Sequence, residues 1–135
     1  MTPFPLHPQL LAECHPLGQL SHCQLLLHKN AAVLWFILVP DTEVTDLLEL
    51  PPQQAQAVLE ECRQVARYIK QQAGYPKINF GAIGNLVPQL HLHVIGRRPD
   101  DPCWPQPVWG HLKTQGRYTD RDIAAIKTAV LEVGQ

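Results

Sequence analysis

The chain has 135 residues and a mass of 15.2 kDa, enough to bury one core and too little for two ordinary ones, so one domain over residues 1–135 and one site are expected. Apolar residues at 45% and charged residues at 17% exclude predominant disorder, and 13 prolines exclude an all-helical bundle. With 11 basic against 12 acidic residues there is no positive surplus to hold a long nucleic acid, although a ligand the size of one nucleotide needs none.

Residues 1–14 lack the basic and long apolar regions of a secretory signal, and the apolar run Val33 to Val39 is too short to span a bilayer. A cytoplasmic chain without membrane attachment is expected. Cys14, Cys23, Cys62 and Cys103 show no close pair and no disulfide density, which predicts reduced, mostly buried thiols. Cys14, His15, His22 and Cys23 are neighbours in sequence, but Cys-x8-Cys is not zinc-knuckle spacing, so neither a metal nor a cofactor is expected.

Gln24 to His28 and Leu34 to Val39 read as strands, the second a continuous apolar run suited to the centre of a sheet. Prolines at 51 and 52 open a proline-free stretch, 53–75, in which Ala55, Val58, Leu59, Cys62, Val65, Ala66 and Ile69 form one helical stripe that Gly74 ends. Lys77 to Phe80 is a short strand signal. In the next, Gln89, His91, His93 and Ile95 alternate with Leu90, Leu92 and Val94. The second proline-free stretch, 108–135, carries a capping pair, Thr119 with Asp122, and an apolar stripe of Ile123, Ile126, Val130 and Val133. Connectors too short for parallel crossovers make this an α+β domain with an antiparallel sheet, one long helix and a C-terminal helix.

The polar row of Gln89, His91 and His93 needs a reason. Imidazoles two residues apart on a strand leave the same face roughly 7 Å apart. Such a pair suits metal ligation, acid–base work, or nucleophilic attack by one ring with the other donating to the charge that develops; it also suits a merely solvated sheet face. The preceding segment, Asn79 to Pro88, holds Gly81, Gly84 and Asn85, whose backbone and side-chain N–H groups fit phosphate oxygens, and Arg97 and Arg98 follow, available to an anion or simply solvated. His7, His28 and His111 belong to no constellation and read as surface or boundary residues.

The stretch Gly84-Asn-Leu-Val-Pro-Gln-Leu-His-Leu-His-Val-Ile-Gly96 resembles the histidine-triad (HIT) signature, in which Gly-Gln-Ser/Thr-Val precedes three histidines alternating with apolar residues. The resemblance extends to the apolar strand ending at Pro40, to Asn30 near a ribose-binding acidic position, and to Asn79 before the signature. It implies a sheet of about five strands and a site for a nucleotide or dinucleoside polyphosphate. His91 falls on the histidine that attacks the α-phosphate, and His93 on the one that donates to a phosphate oxygen. Gly84, Asn85 and Leu86 fall on the loop, with Asn85 replacing glutamine and Leu86 replacing the hydroxyl residue. Gln89 replaces the first histidine and cannot exchange a proton near neutral pH. Asp41-Thr42-Glu43 stands where many members are basic. The resemblance implies a nucleotide hydrolase or nucleotidyl transferase, with a nucleotide-binding module of weak turnover as the alternative. It also implies a homodimer in which the tryptophan- and proline-rich segment 101–110 reaches the partner, placing Trp104 near the partner's site; otherwise that segment covers the domain's own core.

Overall fold

A computed structural model of the chain describes residues 4–133, the last for its backbone only, so Pro3 and the Val133 side chain lie outside the described residues. The elements run α1 (Pro8–Glu13), β1 (Cys14–Gln19), β2 (Cys23–His28), β3 (Leu34–Pro40), α2 (Pro52–Gln71), β4 (Lys77–Gly81), β5 (Leu92–Arg97) and α3 (Asp120–Val133), with a 3-10 turn at Leu47–Glu49. The five strands form one antiparallel sheet in the order β1-β2-β3-β5-β4.

All seven residues of β3 are buried, as a strand with neighbours on both edges and cover on both faces requires. One face of the sheet carries Leu25, Leu27, Phe36, Leu38, Leu92 and Val94 under α2 and α3. The opposite face carries Leu26, Trp35, Ile37, Val39 and Ile95 under α1 and the 103–112 segment. Each fully buried Leu, Ile or Val here contributes roughly 1.5–3 kcal/mol of transfer free energy. Period-2 alternation along β2, β3 and β5 therefore divides the molecule into a packed side and a second side that holds the histidines.

The long helix starts with Pro52 in its first turn, buries Val58, Cys62, Val65 and Ile69, and gives way to Gly74 at φ +79°, a left-handed conformation that glycine enters without a Cβ penalty. Leu59 leaves the stripe and is exposed, beside the open edge of β4. Glu61 instead is buried and accepts from the His22 backbone N–H at 2.9 Å, tying the β1–β2 turn to the helix. The Thr119 and Asp122 pair closes reciprocally: Thr119 N–H donates to Asp122 Oδ2 at 2.9 Å and Asp122 N–H to Thr119 Oγ1 at 3.0 Å.

Three features differ from the sequence reading. α1 is a turn and a half, too short for a periodic signal, with Pro8 near its start and the His7 imidazole accepting from the Gln9 N–H. β1 contains Pro16 and Gly18, which argue against a strand, yet it is an edge strand with a register shift between those two residues, where a missing donor does little harm. The histidine strand begins at Leu92, three residues later than Gln89, because the ladder to β3 ends at the Leu38–Leu92 pair and that to β4 at the Gly81–His93 pair.

Candidate active site

His91, just before β5, and His93, within it, project into a cleft of about 410 Å³ between α1 and the 83–87 loop. Both are nearly buried, at 7% and 6% exposure, and their ring centroids are 5.0 Å apart. Trp35, His28 and Trp109 complete the floor and back wall, while Gln9, Leu10 and Glu13 of α1 form one side. His28 stacks on Trp35 at 4.0 Å with only 8° between the planes; Trp109 packs edge-on to both His93 and Trp35. Gly84, Asn85 and Leu86 line the mouth opposite α1, Leu86 at 84% exposure.

Hydrogen bonds assign a tautomer to each catalytic candidate. His91 Nδ1 lies 2.7 Å from the backbone carbonyl of Gln89. A carbonyl only accepts, so Nδ1 carries the proton and the neutral ring keeps its lone pair on Nε2. The indole N–H of Trp35 donates to His93 Nδ1 at 3.0 Å. An indole only donates, so Nδ1 holds a lone pair and the neutral His93 carries its proton on Nε2. Burial, reinforced by the neighbouring His91 and His28, pushes His93 down to about 3, which keeps it neutral near pH 7. Burial also lowers His28, with Glu13 opposing. One ring thus offers a nucleophilic nitrogen and the other a neutral N–H donor.

The HIT domain family matches residues 11–100. The chain belongs to the histidine-triad family. The chain is also similar to solved histidine-triad proteins of Marinobacter aquaeolei VT8 (38% identity, TM-score 0.89, covering 98% of this chain and 96% of that one) and Sinorhizobium meliloti 1021 (36%, 0.89, 96% of each). A third, from Bradyrhizobium japonicum, is 31% identical with a TM-score of 0.88 over 97% of this chain and 98% of its own. No curated protein matches the chain.

Several residues expected at this histidine-triad site lie elsewhere. Asn30 is buried and bonded at both ends of its amide: its Oδ1 accepts from Ala32 and Gly116 N–H groups and its Nδ2 donates to the Thr114 carbonyl. Its amide holds the 114–116 segment and does not line the cleft. Asn79 accepts from Arg97 Nη1 at 2.9 Å, within a knot away from the cleft. Arg97 itself is 1% exposed and clamped by Asp101 (2.6 and 3.1 Å) and the Gln106 carbonyl (2.8 Å), so it reaches no ligand. Arg98 lies 3.8 Å over the Tyr75 ring. Among the residues described as lining the cleft none is Arg or Lys, leaving imidazoles and amides to meet an anion. Trp104 sits 5.7 Å from the Arg97 guanidinium and outside the cleft. Gly81 closes β4 and is not part of the loop. Gln89 stands apart from the imidazole row, bonded to the N-terminal segment. Cys14 and Cys23 lie on opposite faces of the sheet and cannot share an ion; among the described residues no group of three His, Cys, Asp or Glu could hold a metal.

Conversely, the sequence reading left Trp35 and Trp109 out of the site and took His28 for a surface or boundary residue, whereas all three line the cleft. The two-residue spacing of His28 from Leu26 and of Ile37 from Trp35 does assign each to a face. Only the strand order brings those faces together with β5, and Trp109 arrives from a segment with no periodic signal.

Proposed function

We propose that the protein is a nucleotide hydrolase or nucleotidyl transferase that works through a nucleotidyl-histidine intermediate on His91. The observation that carries this reading is the opposed pair of tautomers on two nearly buried imidazoles in one cleft. The lone pair on His91 Nε2 attacks the α-phosphorus, an N–P bond forms, and the bond to the leaving group breaks with its electron pair leaving on that group. The Gln89 carbonyl then supports the proton on Nδ1 as the ring becomes cationic. His93 Nε2–H, with Asn85 and the loop amides, meets charge on the non-bridging oxygens. Water or another acceptor next displaces the nucleotide, so two in-line steps retain configuration at phosphorus. The nucleotide moiety of a nucleotide or dinucleoside polyphosphate would enter this cleft, with its base beside His28, Trp35 and Trp109.

The second reading, a nucleotide-binding module with weak or no turnover, is favoured by one observation: Gln89 aims its amide away from the cleft, so no side chain from that position can protonate a leaving group. Incubation with dinucleoside polyphosphates and aminoacyl adenylates, followed by trapping of phosphohistidine, separates the two. Wild type forms the adduct and His91→Ala does not; calorimetric binding without adduct or product selects the binding module, and full turnover by His91→Ala overturns the mechanism.

A homodimer is part of the same proposal. The free edge of β4 and the adjoining face of α2 leave an apolar groove of about 270 Å³ lined by Leu59, Cys62, Ala66, Ile78 and Phe80, with Phe80 at 47% exposure. A second copy would cover it and bring its Trp104 segment toward the neighbouring site. Sedimentation of a monomer at micromolar concentration would remove this part.

A further inference from the structure

Residues 89–91 precede the β5 ladder, which begins at Leu92, so no strand pairing holds the Gln89 carbonyl that sets the His91 tautomer. The buried Leu90 anchors this segment on the core side, and the Gln89 side chain ties it on the other. Its Oε1 accepts from the His7 backbone N–H at 2.7 Å and its Nε2 donates to the Pro5 carbonyl at 3.0 Å. In an extended chain the carbonyl of one residue and the N–H two residues on point the same way, and that is the pair a neighbouring strand engages. The glutamine amide therefore acts as a single added peptide group beside the N-terminal arm, residues 4–7. That arm leads directly into α1, whose Gln9, Leu10 and Glu13 form one wall of the cleft.

We infer that Gln89 is a positioning residue: it latches the N-terminal arm to the segment that orients His91, and so fixes both the cleft wall and the nitrogen that faces the ligand. A primary amide suits this because donor and acceptor sit at one end of one group and neither titrates near neutral pH. The inference rests on the reading of His91 as the nucleophile, but its geometry can be read in the unliganded protein.

The test uses the full chain, with nitrogen-15 in its histidines, as wild type, Gln89→Ala and Gln89→Glu. The arm keeps a second tether, from Gln24 Nε2 to the Phe4 carbonyl at 2.7 Å, together with the packing of Leu6 and Leu10, so the variants retain the fold. Wild type should show His91 protonated at Nδ1 alone. Gln89→Ala should expose the His7 amide to exchange at least about tenfold faster, one hydrogen bond's worth, and give a mixture of His91 tautomers. Gln89→Glu, which can accept from His7 but not donate to Pro5 when ionised, should fall between. On a nucleotide that wild type turns over, Gln89→Ala should lower kcat as well as raise KM, whereas Gln9→Ala, which trims an exposed side chain of the wall, should raise KM alone. A single unchanged His91 tautomer in Gln89→Ala, or unchanged exchange at His7, overturns the inference. If the tautomer shifts as expected but wild type forms no phosphohistidine, the proposed catalysis fails and the latch stands.

Discussion

Trp35 and His93 sit diagonally on β3 and β5, where Trp35 pairs with Ile95 and Ile37 with His93, and the 3.0 Å bond from the indole N–H makes Nε2 the proton-bearing nitrogen of the imidazole. Replacing the tryptophan tests this directly. Trp35→Phe keeps an aromatic ring but removes the donor, a loss of about 1 kcal/mol in a typical hydrogen bond. His93 is then free to exchange tautomers, and the rate of phosphohistidine formation should fall about fivefold or more in single-turnover measurements. An unchanged rate would show that the indole does not govern the donor.

The buried His93 also gives stability a pH dependence. An unfolded imidazole takes a proton near pH 6.5, while in the folded protein burial and the two neighbouring histidines delay that to about 3. Between these values the unfolded chain binds more protons, so the stabilisation is complete above about pH 6.5 and is lost as pH falls toward 3. Denaturant midpoints should drop from pH 7 to pH 4, with up to about 1.4 kcal/mol per pH unit from this one group. His93→Gln should flatten that slope; a slope equal to wild type would place the effect on other groups.

Arg97 is an internal fastener. Arg97→Met would leave the buried Asp101 carboxylate, held low by the Arg97 and backbone hydrogen bonds against the opposing effect of burial, without its partner. Breaking one side of such a pair costs about 3–5 kcal/mol. Chemical denaturation should register that loss, while calorimetry on the folded fraction should find nucleotide affinity within about twofold of wild type, as expected for a site without direct contact. A large loss of affinity at unchanged stability would return Arg97 to the ligand.

Asn30 and Gly116 make a matched pair of structural substitutions. Asn30→Ala strands the N–H groups of Ala32 and Gly116, at about 1–3 kcal/mol for an unsatisfied buried donor. A Cβ on Gly116 would lie 2.8 Å from the Ala32 nitrogen and 2.9 Å from the Ala31 carbonyl carbon, and backbone cannot yield as a side-chain tip does. Gly116→Ala should also cost about 1–3 kcal/mol. Thermal melts of both variants should show the loss without a matching change in ligand affinity; selective loss of binding in Asn30→Ala would restore its expected ribose contact.

Local pattern was enough for much of the architecture. The proline-free stretches hold α2 and α3, the Leu34 to Val39 run is the central strand, and Leu90, Leu92 and Val94 all join one core face opposite His91 and His93. These are legible because burial imposes periods of 3.6 and 2 on the chain itself. α1 was not, since six residues complete too few turns to show a period, and β1 was hidden by a proline and a glycine that an edge strand tolerates.

The site divides along the same line. Sequence alone determined that two imidazoles share a face behind a glycine- and amide-bearing loop, and that the net charge offers an anion little beyond local donors. Only the tertiary structure decided which groups turn toward that face. It drew Asn30, Asn79 and Arg97 into hydrogen-bonded supports, and it brought His28, Trp35 and Trp109 to the histidines from three separate segments. It also turned Gln89 from the imidazole row to the N-terminal arm. The physical reason is that a polar side chain's partner is chosen by proximity in space, across sequence separations of 58 between Trp35 and His93 and 82 between His7 and Gln89. A chain read one residue at a time fixes faces and periods, while the partner of each donor waits for the order of the strands.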